Sequence, residues 1–377
     1  MDSMNTIDEI REDMPAIAVA RKREIAVLRS TLCYMTKRCR LIQREPGNAL
    51  ARFLFSSAIP GVTYVRCDPV LPSNVSYDTS LCSELTKEHM SLSDAQQVCE
   101  ALCLASKQAV CRLEALRRSD ADETAVLVQA VLPSSERHRV TWRTESLELT
   151  SAHLHELRRR YAEHATDDVS GWRFNRRLFC LLQRYAALGG PTYQCSVTRH
   201  GFDALRSAFG VTKECYASPL NCNADVYWSA FADTDRFFGS QGSFYTALGS
   251  ALVQEGGGFF ANPPFVEEHM QALQEQVALM LELPVPVTFA VILPTWTDNA
   301  SHEWMRTSPS TTLHFLLQPK MHEYVDGLQQ TNGRRTTVAR FTSSLFILQN
   351  SLGSARFPVD EEKKVRIAKA FALRAGG

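Results

Sequence analysis

Residues 262–265 run Asn-Pro-Pro-Phe and bring together an amide, two prolines and an aromatic ring. The Asn262 side chain offers one acceptor oxygen and two donor hydrogens. Pro263 removes a backbone donor, and Pro264 holds the residue before it extended, which leaves carbonyls and the Asn262 amide facing outwards. Phe265 stands beside them as a flat apolar surface. An amino group on a planar base donates two hydrogens. These suit the Asn262 oxygen and a backbone carbonyl, while the ring stacks on Phe265. An Asx-Pro turn before a helix, with Phe265 in the core, is the competing explanation of the same residues.

A strand and a helix must hold this group. Gly256-Gly257-Gly258 precede Phe259-Phe260, which reads as a short strand, and Val266, His269, Leu273, Val277 and Leu281 recur at helical spacing over 265–282. In an open α/β sheet, ligands bind at the carboxyl ends of strands. Two further strand ends carry polar or proline residues. Val211–Tyr216 runs into Ala217-Ser218-Pro219-Leu220-Asn221, and the nearly continuous apolar run 286–293 ends in Pro294-Thr295-Trp296. A mixed segment over 226–231 leads to Asp233 and Asp235. Strands over 312–317 and 338–348 and an amphipathic helix bearing Lys363, Lys364, Arg366 and Lys369 complete the region. Neither GxGxxG nor a P-loop follows 211–216, so a phosphate grip is not indicated, and there is room for a cofactor such as S-adenosylmethionine.

The rest of the chain bounds the class of protein. Its 377 residues suffice for two or three domains, and 45% apolar with 22% charged residues is ordinary for a globular chain. With 41 Lys and Arg against 41 Asp and Glu, nonspecific nucleic-acid binding through a broadly cationic surface is not indicated. A small substrate, or one nucleic-acid end in a local basic cleft, remains. The 11 cysteines include no CxxC pair. No metal site is expected, and the thiols suit a reduced compartment. Residues 1–20 lack an apolar signal core and no apolar run reaches membrane length, so no membrane partner is expected.

Residues 1–13 are expected as a loose tail and 14–165 as a mostly helical accessory domain. That domain opens on a basic segment containing Arg21, Lys22, Arg23, Arg29, Lys37, Arg40 and Arg44. Further helices are expected over 94–118, near 121–132 and over 149–164. Residues 166–204 form a helical connector in which Arg173, Arg176, Arg177 and Arg184 alternate with Trp172, Phe174, Phe179 and Tyr185. That mixture suits phosphates and unstacked bases, or equally a helix with one apolar face. Residues 205–377 read as the α/β domain.

Three blocks occur in order: Glu214 to Asn221 (Glu-Cys-Tyr-Ala-Ser-Pro-Leu-Asn), Ser229 to Asp235 with Phe238-Gly239-Ser240, and Asn262 to Phe265. Together they resemble the methyltransferase core of the phosphorylated-CTD-interacting factor family, the cap-specific adenosine N6-methyltransferases. His322-Glu323-Tyr324 and Leu345 to Asn350 resemble later motifs of that family. The likeness covers roughly residues 170–350. It implies a Rossmann-like class I methyltransferase domain joined to a helical domain. The implied reaction is transfer of a methyl group from S-adenosylmethionine to N6 of the adenosine beside the mRNA cap.

By this resemblance Asn262, Pro263 and Phe265 act on the adenine. Glu214, Ala217, Ser218, Pro219, Asn221, Asp233, Asp235 and Asn262 surround the cofactor. Pro264, Trp296, His322, Arg173, Arg176 and Arg177 approach the RNA. Capped mRNA beginning with adenosine is the expected partner, in the nucleus or alternatively the cytoplasm. No paired-tryptophan WW segment is apparent, so polymerase recruitment by that route is not expected. Two alternatives stay open: an amino-methyltransferase acting on internal RNA, DNA or a protein amide, and a catalytically inactive subunit that binds capped RNA.

Overall fold

The computed structural model describes residues 13–38, 47–56, 68–73, 78–87, 90–118, 124–132, 135–189, 194–327 and 336–373. Tail residues 1–12, Arg40, Arg44 and residues 61–65 lie outside them. The chain forms two compact units. One comprises residues 1–57, 63–189 and 231–239, and the other 58–62, 190–230 and 240–377.

The first unit contains α1 (Pro15–Arg38), α2 (Gly47–Ser56), α3 (Thr79–Lys87), α4 (Leu92–Arg118), α5 (Ser151–His164) and α6 (Phe174–Leu188). Pro15 opens α1, where its missing N–H costs no helical bond. In α4, Val98, Leu102, Val110 and Leu113 are buried at helical spacing, as the sequence predicts. The segment expected to be helical near 121–132 is instead β1 (Leu127–Ala130) among its described residues. It pairs antiparallel with β2 (Arg137–Trp142), which pairs with β3 (Glu145–Thr150). A short apolar run does not distinguish strand from helix, and here the neighbouring hairpin supplies the hydrogen-bonding ladder.

Asp13, expected at the end of a loose tail, is buried and accepts from Arg21 at 2.7 Å and Arg184 at 3.0 Å. Arg21 also pairs with Asp68, and Arg184 with Asp233. These charges bind α1, α6 and the 231–239 excursion within this unit.

The second unit runs β4 (Ser196–Val197), α7 (Arg199–Phe209), β5 (Val211–Ala217), β6 (Val226–Ser229), β7 (Gly257–Ala261), α8 (Glu267–Leu281) and β8 (Val287–Pro294). It continues through α9 (Ala300–Thr307), β9 (Thr311–Leu317), β10 (Glu323–Val325), β11 (Thr336–Val338), β12 (Ser343–Gln349), α10 (Ser351–Arg356) and α11 (Glu361–Phe371). Six strands lie in the order β6-β5-β7-β8-β12-β9. The first four are mutually parallel, and β12 is antiparallel to both its neighbours. The expected α/β architecture is present as this mixed sheet. The strand expected over 338–348 is divided: residues 343–349 enter the large sheet, whereas β11 joins a small antiparallel sheet ordered β11-β10-β4.

Alternation along the strands places the core on both sheet faces. Phe259, Phe289, Val291 and Phe346 pack with Met270, Leu273 and Val277 of α8. Phe260, Ala290, Ile292, Leu345 and Ile347 pack with Phe202, Leu205 and Phe209 of α7 and Ile367 of α11. Every residue of β8 is buried, as a strand covered on both faces requires. Of the three glycines expected to precede the strand, Gly257 and Gly258 belong to β7 itself. A Cβ at Gly258 would stand 2.3 Å from the Gly210 carbonyl oxygen, so only glycine lets β7 start this close to β5.

Candidate active site

The strand order reverses at β5 and β7. From β5 the chain passes to β6 on one side, and β7 is laid on the other. Such a reversal opens a crevice at the carboxyl ends of the strands. Here it is bounded by the turn after Ala217 and the turn after Ala261.

A short strap ties these turns together. The Asn262 Nδ2 donates to the Cys195 carbonyl at 2.8 Å, and the Asn221 Nδ2 donates to the Gln194 carbonyl at 2.9 Å. Asn223 Nδ2 donates to Ser196 Oγ at 3.1 Å. The strap then enters β4, which pairs with β10 through Val197–Tyr324 and Ser196–Val325. Thus an asparagine in the β7 turn and two in the β5–β6 connection grip one segment of four residues.

The bond to Cys195 decides which way Asn262 faces. A carbonyl only accepts, so the NH₂ half of the amide must point at it. The oxygen half is then turned away, buried, and without a hydrogen-bond partner among the described residues. An unpaired buried acceptor costs about 1–3 kcal/mol, a cost that a ligand donor would remove. The Pro263 carbonyl accepts no hydrogen bond among the described residues either, whereas Pro264 accepts from Val266 N at 2.7 Å. Consecutive residues 262 and 263 therefore each carry an acceptor that no described residue uses.

Asn262 and Pro263 line a cavity of roughly 420 Å³ together with Phe265, Cys195, Tyr324 and Phe341, among others. That size suits a small ligand or one nucleobase. Phe265 stands edge-on to both other rings, at 75° and 6.4 Å from Tyr324 and at 88° and 5.8 Å from Phe341. Tyr324 and Phe341 lie nearly parallel, 23° apart. Phe265 is half-buried and also touches the core beneath, so the stacking and core roles weighed from sequence fall on the same ring. Burial, assisted by Asp326, pushes the Cys195 thiol up to about 12. It is a neutral wall rather than a nucleophile.

The other residues singled out from sequence lie in different settings. Glu214 is buried and accepts from the backbone amides of Asn223 at 2.7 Å and Ala224 at 3.3 Å. It shapes the β5–β6 connection. In the turn after β5, Asn221 Oδ1 accepts from Ser218 N at 2.8 Å and from Ser218 Oγ at 3.1 Å. Ala217 closes β5 opposite Ser229 of β6, and buried Pro219 rigidifies the turn. Trp296 is 40% exposed in the turn after β8 and does not line the cavity. His322 is buried behind Tyr324 rather than in the cavity wall.

The two aspartates and the arginines belong to the first unit. Asp233 is bound by Arg184, and Asp235 accepts from Tyr185 at 2.6 Å and Thr234 at 2.8 Å. Both carboxylates are therefore engaged in the interior of the helical unit. Arg177 is 2% exposed, pairs with Asp167, donates to Tyr161 and lies over the Phe237 ring. Its buried guanidinium is committed to protein partners. Arg173 reaches Asp167 at 3.3 Å and packs over Trp172. Arg176 is half-buried and makes no ion pair among the described residues. Sequence reasoning missed Tyr324 as a cavity residue and Cys195, Phe341 and the strap altogether. The strap's two-residue strand has no periodicity to detect.

The mixed sheet and its strand-end crevice define an α/β protein with a candidate ligand site at the carboxyl ends of its parallel strands. The sequence model of the family described as "Phosphorylated CTD interacting factor 1 WW domain" matches residues 153–327, a span from α5 to the residues after β10. Two curated proteins, each named mRNA (2'-O-methyladenosine-N(6)-)-methyltransferase, are similar to the chain. The Homo sapiens protein is 33% identical over 257 residues, covering 64% of this chain and 36% of its own length. The Mus musculus protein is 32% identical over 259 residues, with the same two coverages. The resemblance drawn from the motifs is borne out. The chain spans a little over a third of the length of the curated relatives it matches.

Proposed function

We propose that this chain is an S-adenosylmethionine-dependent methyltransferase acting on N6 of the adenosine next to the mRNA 5′ cap. The observation that carries the reading is the buried, unpartnered Asn262 oxygen beside Phe265 at the carboxyl end of β7. The names of the two relatives support the substrate class and the methyl transfer. The parallel run β6-β5-β7-β8 with reversed β12 supports a Rossmann-like methyltransferase domain.

The crevice at the strand reversal supports a place for the cofactor. The crevice at the strand reversal has no glycine-rich phosphate loop, and its β5 turn is a rigid Ser-Pro-Leu-Asn loop. Ala217, Ser218, Pro219, Asn221 and Asn262 would hold it, with Glu214 acting through the β5–β6 connection. S-adenosylmethionine supplies an electrophilic methyl group on a sulfonium.

The chain's own residues do the rest. An exocyclic amine is a weak nucleophile because its lone pair is delocalised into the ring. The Asn262 oxygen and the Pro263 carbonyl accept its two hydrogens and favour the geometry nitrogen adopts as the new bond forms. Phe265 holds the base plane, and positioning supplies much of the rate. The surplus proton leaves after nitrogen has become cationic, so no strong base is required beforehand.

Methyl transfer to three substrates tests the reading: capped RNA beginning with adenosine, the same RNA uncapped, and duplex DNA. Transfer to N6 of the capped RNA, with the others much slower, is expected. Equal transfer to uncapped RNA or DNA would reassign the substrate. Capped-RNA binding with no transfer and no cofactor binding would make the chain a binding subunit.

A further inference from the structure

The cavity lined by Asn262 has a buried end and an exposed end. Asn262 is 9% exposed, whereas Phe341 is 40% exposed and Arg340 beside it is exposed too, and both line the same cavity. Among the described residues lining it, Arg340 alone carries a charge. Glu323 on the neighbouring β10 lines a different cavity with Thr198 and Asp203, so no described carboxylate offsets Arg340 within this one.

Residues 339–342 join β11 to β12, and main-chain bonds fix them from both sides. Ala339 N donates to the His322 carbonyl at 2.9 Å, the Ala339 carbonyl accepts from Lys320 N at 2.7 Å, and the Thr342 carbonyl accepts from Thr295 N at 2.9 Å. Phe341 stands edge-on to Phe265, their centroids 5.8 Å apart. The connection is thus anchored against the ring on which a base would stack. The Arg340 side chain, by contrast, makes no hydrogen bond, ion pair or ring contact with any described residue. A cation on a fixed turn, free of protein partners, stands at the open end of the cavity.

We propose that Arg340 binds a phosphate attached to the target adenosine, so that the cavity recognises a nucleotide and not a base alone. The inference rests on the reading that this cavity takes an adenine amine. On a purine the exocyclic amine and the glycosidic nitrogen lie at opposite ends. A base whose amine meets the buried Asn262 oxygen therefore sends its sugar and phosphates towards the exposed end. There the fork of a guanidinium can donate two parallel hydrogen bonds to phosphate oxygens. In capped RNA phosphate flanks that nucleoside on both sides, in the triphosphate bridge at 5′ and the phosphodiester at 3′. The recognition chemistry is the same for either.

The test is equilibrium binding to the full chain, without methyl donor, from about 50 to 200 mM salt. Two ligands are compared: capped RNA beginning with adenosine, and the cap dinucleotide, which has the triphosphate bridge but no 3′ phosphate. Arg340→Gln, which should melt with the parent because its side chain has no described partner, should bind capped RNA roughly tenfold more weakly. The slope of log affinity against log salt should shrink by roughly 0.7 to 1, the share of one phosphate contact. Arg340→Lys should keep the slope, since it keeps the charge, and regain only part of the affinity, since an ammonium lacks the paired donors. An equal loss with the dinucleotide supports the inference and assigns the 5′ bridge; a loss confined to the longer RNA supports it and assigns the 3′ phosphodiester. Parent affinity and salt slope retained by Arg340→Gln for both ligands overturn the inference. A weaker affinity with an unchanged slope overturns it as well, because packing and not charge would then have been lost. In a parent that methylates capped RNA, either result leaves the proposed function standing. A parent that binds neither ligand removes both.

Discussion

At the scale of residues, the turn after β7 offers a ligand two separable things, a hydrogen-bond acceptor and an aromatic face. Phe265 is half-buried and packs on the core as well as bordering the cavity, so its two roles need separate readouts. Phe265→Ala is expected to destabilise the fold by about 1–3 kcal/mol and to raise the RNA KM of the remaining folded protein. Phe265→Tyr should keep part of the stacking and most of the stability. Steady-state kinetics normalised to folded protein, alongside thermal melts, distinguish the roles. Unchanged activity per folded molecule in Phe265→Ala would assign the ring to the core alone. Asn262 was legible because Asn-Pro-Pro-Phe is a local pattern. Its orientation was not, because the Cys195 carbonyl that fixes it lies 67 residues away.

At the scale of elements, α6 shows what charge patterning along a helix can and cannot say. The alternation of arginine with aromatics is real, yet Arg177 is buried against Asp167, Tyr161 and Phe237. Arg177→Gln should lower stability by about 2 kcal/mol, less than for a fully buried pair because Asp167 is half exposed. Arg176→Gln should leave the melt unchanged, and if this helix meets RNA phosphates it should raise the RNA KM and reduce its salt dependence. A neutral result from Arg176→Gln in both assays would make the exposed side of α6 an ordinary solvated face.

The ion cluster joining α1 and α6 gives an acid prediction. Burial alone would raise the Asp13 carboxyl, but the Arg21 and Arg184 guanidiniums overcome this and hold it at about 2. Its folded pKa lies below the unfolded value of 3.8, so the unfolded chain binds more protons between the two. The stability Asp13 contributes is thus full above about pH 4 to 5 and lost as pH falls towards 2. Asp13→Asn should lower the neutral-pH melting temperature and flatten its acid dependence. An acid profile identical to the parent's would remove Asp13 from the account. The pairings of Arg184 were not legible locally: it meets Asp13 across 171 residues and Asp233 across 49.

At the scale of the whole molecule, the large sheet was readable wherever a strand is buried on both faces. The run 287–294 is apolar except for Thr288, and the turn residues 217–221 and 262–265 sit at the strand ends where the pattern placed them. The small sheet of β4, β10 and β11 was not readable, because strands of two and three residues carry no period. That sheet brings Tyr324 to the cavity, so the wall opposite the amide was missed together with it. Asp233 and Asp235 follow β6 in sequence but fold with the helical unit, which no local pattern announces.

The central claim is that the open oxygen of Asn262 binds the reacting amine. Single-turnover methyl transfer to capped RNA beginning with adenosine, comparing the parent with Asn262→Ala, measures it most directly. The account predicts at least a roughly hundredfold slower transfer at saturating RNA, because the lost interaction strengthens in the transition state, with cofactor affinity and melting temperature little changed. A folded Asn262→Ala protein that transfers methyl groups to N6 at close to the parent's rate would contradict it.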